Sequence, residues 1–267
     1  MDELNAIVQQ VIQVSPTMKV IRIAPVGWEL PDFKPGQFVG LGLYPSNEKC
    51  PEATEEYVVP NPDKLIKRAY SIASSNTSKE FIEFYITLVH SGSLTPRLFN
   101  LQIGDKVWMG QRFTGMFTLD EVDENQNIVL IATGTGVAPY MSMLRSDALR
   151  RKGNIVVIHG AANSWDLGYS SELTLLQNIA PHFDYIPTIT MPEKEVTKWH
   201  GRTEWIQEIW EDGTVEKLWK FKPTPENTHI FLCGNPNMIN GMIEIMGKDG
   251  FIEHSRRQPG QIHVEKF

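Results

Sequence analysis

The chain has 267 residues and a formal net charge of −7, with 41% hydrophobic and 21% charged residues. That balance describes a globular chain long enough for two domains with separate cores, and its acidity gives no bulk attraction to a nucleic-acid backbone. Two cysteines, Cys50 and Cys233, are too few for a disulfide framework, a cysteine-held iron–sulfur cluster or a thiolate metal site; no metal is called for, and a reducing cytoplasm is the expected compartment.

The opening MDELNAIVQQVIQV lacks the basic start and continuous apolar run of a secretory signal. No apolar stretch approaches the roughly 20 residues that cross a bilayer, so no membrane span is expected. Up to residue 119 short strands alternate with turns: MKVIRIA (18–24), GQFVGLGL (36–43), RAYSIAS (68–74), FIEFYITLV (81–89) and VWMG after the turn at Gly104-Asp105. This rhythm predicts an antiparallel β-barrel over residues 1–122. A polar, proline-bearing stretch, 45–67, interrupts it without periodicity and reads as a functional or elaborated loop.

DENQN (123–127) is the expected domain boundary, and beyond it the pattern becomes strand, glycine turn, helix, strand. IVLIA (128–132) reads as a buried strand. Tyr140, Met141 and Leu144 fall at helical spacing within 137–151, with Gly153 just past the end. IVVIH (155–159) and THIFLC (228–233) are further strands, Ser170-Ser171-Glu172 opens a helix, and Asn235-Pro236 starts another through Met246. Residues 123–267 are thus predicted to form an α/β domain with a parallel sheet.

Four short segments carry chemistry. Arg68-Ala69-Tyr70-Ser71 places a planar donor fork, an aromatic ring and a hydroxyl on one strand, although an ordinary strand with a surface arginine would look the same. In Ser91-Gly92-Ser93-Leu94-Thr95-Pro96, Thr95 is expected as an N-cap and Pro96 at the first helical position, making an anion-binding helix start or merely a capped helix. Thr133-Gly134-Thr135-Gly136-Val137 links a buried strand to a helix, the context in which glycines let phosphates approach the backbone, but its spacing is not the common dinucleotide fingerprint. Leu232-Cys233-Gly234-Asn235-Pro236 ends another buried strand at the ligand-lining end of a parallel sheet, where a structural cysteine is the alternative.

In this order, with VEKF at the end of the chain, these segments resemble the ferredoxin–NADP reductase family of FAD flavoproteins, and the resemblance covers nearly the whole chain. It implies that Arg68 pairs the FAD diphosphate, Tyr70 stacks on the isoalloxazine, and Ser71 sits near flavin N5, with Ala69 between them. It also implies that Tyr85, Ile86, Thr87 and Leu88 run along the FAD and that Ser93, Leu94 and Thr95 form the diphosphate turn. Phe267 would cover the flavin. Gly134, Thr135, Gly136, Arg202, Cys233, Gly234 and Met238 would line the NAD(P) site, Thr135 near both groups. Ser71, Cys233 and Glu265 would be the residues at the reacting atoms. The implied activity transfers electrons between NADPH and ferredoxin or flavodoxin through flavin N5, in a monomer or weak oligomer.

The sequence departs from the family where the 2′-phosphate of NADP is read: the arginines found in some members are replaced by Ala162 and by Met191-Pro192, leaving Arg202 with Lys194 and Lys198. NADH is therefore an alternative donor, and an NADH-dependent reductase component serving an oxygenase or free flavin is an alternative function. A non-catalytic flavin-binding subunit is a third.

Overall fold

The computed structural model describes residues 3–56 and 60–266 and divides the chain into two units. The N-terminal unit comprises Met1–Thr118 with Ala138–Ser146, and the C-terminal unit Leu119–Val137 with Asp147–Phe267.

The N-terminal unit is a six-stranded antiparallel sheet. Its strands are β1 (Ala6–Ser15), β2 (Met18–Pro25), β3 (Phe38–Leu43), β4 (Ile66–Ser71), β5 (Ile82–Thr87) and β6 (Lys106–Met109), in the order β4-β3-β6-β1-β2-β5. The two end strands meet at one corner, where the Ala73 N–H donates to the Glu83 carbonyl at 2.9 Å. The expected strands all form, and β1 adds one that periodicity does not show. Its register with β2 shifts between Val8 and Gln10 and again between Gln13 and Ser15, and each irregularity resets which face a residue meets. Leu41, Ile72, Phe84 and Leu98 lie in the apolar core of this unit.

A short helix, α1 (Thr95–Asn100), follows β5. Thr95 is not its N-cap: it is the first helical residue, Leu94 is the cap, and Pro96 stands second. The Thr95 hydroxyl instead accepts from the Val89 N–H (3.0 Å) and donates to the Val89 carbonyl (3.2 Å). The tight turn at Gly92 brings that backbone within reach, and a hydroxyl satisfied there has no need of the helix start.

The C-terminal unit is a five-stranded parallel sheet, β11-β10-β7-β8-β9. Its strands are β7 (Asn127–Thr133), β8 (Ile155–Ala161), β9 (Phe183–Ile189), β10 (Thr228–Gly234) and β11 (Ile262–Lys266). Helices α3 (Ser170–Ile179), α4 (Ile206–Glu211), α5 (Thr214–Trp219) and α6 (Pro236–Lys248) connect them. As expected, β7 is a run of buried residues from Ile128 to Ala132, the pattern of a strand covered on both faces. Asn235 caps α6, its side chain accepting from the Asn237 N–H at 2.8 Å, with Pro236 at the start.

The helix expected over 137–151 is shorter. A 3-10 turn, Gly134–Val137, leads into α2 (Ala138–Ser146), and a second 3-10 turn, Ala148–Arg150, follows Asp147. Every residue of α2 from Ala138 to Leu144 is buried, and the helix packs within the N-terminal unit, where the Ser142 hydroxyl donates to the Ser74 carbonyl at 2.7 Å. Gly153 is not a helix terminator: a Cβ there would lie 2.1 Å from the Gln126 carbonyl oxygen, so close backbone packing requires the glycine. Among the described residues no helix is long and apolar enough to cross a membrane.

Candidate functional site

In the N-terminal unit the site is built on β4, an end strand paired on one side with β3, Tyr70 opposite Val39 and Ser71 opposite Phe38. Arg68 and Ala69 are exposed, Tyr70 is half-buried and Ser71 is buried. The Tyr70 ring meets Phe84 edge-on at 6.4 Å between centroids, and burial pushes its phenol well above the ordinary tyrosine range, so it is a neutral aromatic surface. Arg68 donates to the Lys67 carbonyl at 2.7 Å, and the Lys67 ammonium lies 3.9 Å from the Trp108 ring centroid. On β5, Tyr85 is buried, its hydroxyl donating to the Met18 sulfur at 3.1 Å. Ile86 and Leu88 are core residues and Thr87 is half-buried.

Leu94 is buried in the core, and Ser93 and Thr95 are half-buried. Behind them stands Arg97, a residue the motif reading left without a role. It is 5% exposed and forms a two-pronged pair with Glu56 at 3.0 and 3.1 Å while donating to the carbonyls of Pro45 (2.9 Å) and Ser93 (2.5 Å). The Arg97 guanidinium holds the Glu56 carboxyl below its usual range. The first half of the stretch 45–67 is thereby fastened to the turn at Pro45 and at Glu56, an arrangement of partners far apart in sequence that no local pattern announces.

In the C-terminal unit the site is made largely of backbone. Gly134 has φ +52°, and a Cβ on Gly136 would stand 2.3 Å from the Cys233 carbonyl oxygen. Gly234, at φ +127°, lies so close to Thr133 that a Cβ would be 2.3 Å from its hydroxyl, which accepts from the Asn235 N–H at 2.8 Å. The glycine turn and the end of β10 are therefore one interlocked surface at the carboxyl ends of neighbouring strands, with Thr135 half-buried in it. Cys233 and Glu265 are register partners on β10 and β11, the thiol donating to the carboxylate at 3.8 Å. Burial first, then the Glu265 charge, raises the thiol well above its usual pKa, so Cys233 stays protonated near neutrality. Met238 is buried in the first turn of α6. Phe267 lies outside the described residues.

Sequence reasoning passed over the support of this turn. His159, fully buried on β8, donates from Nε2 to the Gly134 carbonyl at 2.8 Å and accepts at Nδ1 from the Tyr185 hydroxyl at 3.5 Å. Burial lowers its pKa to about 4, fixing a neutral ring with both nitrogens used. Its place beside β7 depends on strand order, which the sequence does not state. Arg202 stands apart: it donates to Thr214 Oγ1 at 2.9 Å and lies 3.6 Å from both Glu204 and Asp212.

Two families match along the chain, the oxidoreductase FAD-binding domain over residues 56–111 and the oxidoreductase NAD-binding domain over 130–244. A flavodoxin/ferredoxin–NADP reductase of Buchnera aphidicola is 32% identical over 88% of this chain and 88% of its own length. The chain belongs to the flavodoxin/ferredoxin–NADP reductase family. The Escherichia coli flavodoxin/ferredoxin–NADP reductase is 33% identical over 78% of this chain and 76% of its own. The crystal structure of a Neisseria gonorrhoeae ferredoxin NADP+ reductase with bound FAD and NADP shares the fold, with a TM-score of 0.82 at 24% identity over 98% and 97% of the two chains. The antiparallel unit is the FAD-binding part of this reductase family and the parallel unit its NAD(P)-binding part.

Proposed function

We propose that the chain is an FAD-dependent ferredoxin (flavodoxin)–NADP reductase, moving electrons between NADPH and a one-electron protein carrier. The observation that carries this reading is the end strand β4, where an exposed arginine, a neutral aromatic ring and a hydroxyl follow one another at Arg68, Tyr70 and Ser71. That donor set fits a flavin dinucleotide: a guanidinium fork for the diphosphate, a flat ring for the isoalloxazine, a hydroxyl for a ring nitrogen. Flavin, when bound, accepts a hydride at N5 and gives up electrons singly.

The protein's share of the work is positioning. Arg68 and the turn at Ser93, Leu94 and Thr95 hold the diphosphate, Tyr70 stacks on the ring, and Tyr85, Ile86, Thr87 and Leu88 run along the FAD. Gly134, Thr135 and Gly136 let the nucleotide approach the backbone, with Gly234 and Met238 completing the wall. Ser71 orients the reacting nitrogen, while Cys233 donates to Glu265 and keeps a neutral thiol at the nicotinamide. The names of the relatives support ferredoxin or flavodoxin as the partner. The functional domains divide at 122/123, and the enzyme works in the cytoplasm as a monomer or weak oligomer.

A visible spectrum followed by anaerobic titration with NADPH tests the reading. The expected result is a flavin band near ~450 nm that bleaches on addition of the nucleotide. A colourless protein that takes up no FAD would replace this reading with a non-catalytic one. Tyr70→Ser and Arg68→Ala are expected to release FAD more readily than the parent.

A further inference from the structure

In a parallel dinucleotide-binding sheet, the adenosine ribose is read at the carboxyl end of the strand beside the glycine-turn strand. A carboxylate there suits a bare 2′-hydroxyl, and an arginine suits a 2′-phosphate. Here that strand is β8, paired with β7, and the reading loop after Ala161 is Ala162-Asn163-Ser164-Trp165-Asp166, without arginine or lysine. A carboxylate already occupies its polar groups. The Ser164 N–H and hydroxyl both donate to Glu195, at 2.7 and 2.6 Å.

Glu195 comes from the loop after β9, and the two loops are bolted together: the Met191 N–H donates to the Ala162 carbonyl at 2.9 Å, and the Asn163 amide to the Met191 carbonyl at 3.3 Å. The cations nearby in sequence, Lys194 and Lys198, are exposed, and three carboxylates of the same loops, Asp166, Glu193 and Glu195, outnumber them. Arg202, the remaining arginine, is turned to other partners. Its guanidinium is held by Thr214, Asp212 and Glu204, in a pocket of about 490 Å³ lined also by Asp184 and Tyr185 from the amino half of β9. A dianionic 2′-phosphate entering at Ser164 would displace Glu195 or lie against it, with no planar donor pair to offset the repulsion.

We infer that the nucleotide site is built for a bare 2′-hydroxyl, with Glu195 as the discriminating residue, so that NADH is accepted at least as well as NADPH. This rests on the reading of the C-terminal unit as the nucleotide-binding one. The test is calorimetric titration of the FAD-loaded protein with 5′-ADP and with 2′,5′-ADP, beside kcat/KM for NADH and NADPH with a dye acceptor. The expected result is 5′-ADP binding at least as tightly as 2′,5′-ADP, and an NADH rate at least equal to the NADPH rate. Tighter binding of 2′,5′-ADP than of 5′-ADP overturns the inference and leaves the reductase reading standing. Failure of both probes to bind, with neither nucleotide oxidised, overturns the two together. Glu195→Gln is expected to shift the affinity ratio roughly tenfold toward 2′,5′-ADP, the scale of one relieved charge contact; an unchanged ratio removes Glu195 from the role.

Discussion

In the antiparallel unit the candidate flavin residues are side chains displayed on an end strand, whereas in the parallel unit the candidate nucleotide site is backbone packed against backbone. The same contrast runs through what holds each unit together. Glu83, 2% exposed in the antiparallel unit, binds Arg22 at 2.7 Å and Arg145 at 2.6 Å, joining β2, β5 and α2; Arg97 and Glu56 form a second deep pair. In the parallel unit Lys152–Glu124 and Lys222–Asp249 join more exposed groups, while its buried polar residues include His159 and His263 beside Asn127, Asn163, Asp166, Thr188 and Thr228. A sheet whose faces are both apolar leaves its charges outside, and a barrel with a polar helix seam such as Ser142 on Ser74 must pair the ones it buries.

The largest test of that contrast is Glu83→Ala. Removing the shared carboxylate leaves Arg22 with Gln10 and Arg145 with the Ala73 carbonyl, and the loss of both ion pairs should cost about 3 kcal/mol, read as a lower denaturation midpoint. Glu124→Ala, in the parallel unit, should leave the midpoint where it is. Equal losses would show that the two units do not differ in how they manage charge.

Acid should reveal the same difference from the other side. His159, buried and neutral, has its pKa lowered to about 4, and His263, enclosed by burial and stacked between Phe231 and His254, is lowered to about 3. Below about 6.5 the unfolded chain binds these protons while the folded one does not, so stability falls with pH down to about 4 for His159 and flattens beneath it. The loss from His159 alone is up to about 3 kcal/mol. Glu56 has a depressed pKa, so its contribution is present above the usual carboxylate range and lost only as pH falls through its lower folded value. The parallel unit should therefore weaken first. Hydrogen exchange corrected for intrinsic rates, compared between pH 7 and pH 5, should show peptides of 155–161 and 228–234 opening before those of 38–43 and 82–87. The reverse order would contradict the histidine assignment, and His159→Gln should flatten the profile.

How far the sequence could be read depended on how local the cause was. Strands β4 and β7 were legible because their burial follows from their own residues, and Arg68, Tyr70 and Ser71 could be grouped because they fall within four residues of one strand. The strand β1 was not, since two register shifts erase its alternation. Thr95 has the right chemistry for a cap, but its hydroxyl found a nearer partner at Val89. Helix α2 showed its Tyr140, Met141 and Leu144 stripe, yet Ser142 and Met143 are buried too, because the helix packs in the unit to which the rest of its chain segment does not belong. Glu195 on Ser164 and His159 under Gly134 join elements that only the folded sheet brings together.

The glycine turn offers a smaller test of the backbone-built site. Gly136→Ala places a Cβ 2.3 Å from a carbonyl oxygen that cannot swing away, a clash worth roughly 2 kcal/mol. Gly247→Ala, in α6 with nothing within 4 Å of the new atom, should instead stabilise by about 0.5–1 kcal/mol through helix propensity. Opposite signs in chemical denaturation are expected; two losses of similar size would make the effect a general property of glycine in this unit.

The smallest expected effect concerns the start of α6, where one residue serves both the helix and the site. The Asn235 side chain caps the helix at Asn237, and its backbone N–H is satisfied by Thr133 Oγ1. Asn235→Ala removes only the cap and should cost about 1 kcal/mol. Thr133→Val removes only the acceptor, leaving the Asn235 N–H beside the glycine turn to find water. Because the two bonds use different atoms of one residue, a double-mutant cycle should give a coupling under about 0.5 kcal/mol if cap and turn are independent. A larger coupling would mean that the helix start holds the glycine turn in place, and that the backbone-built site depends on a side chain after all.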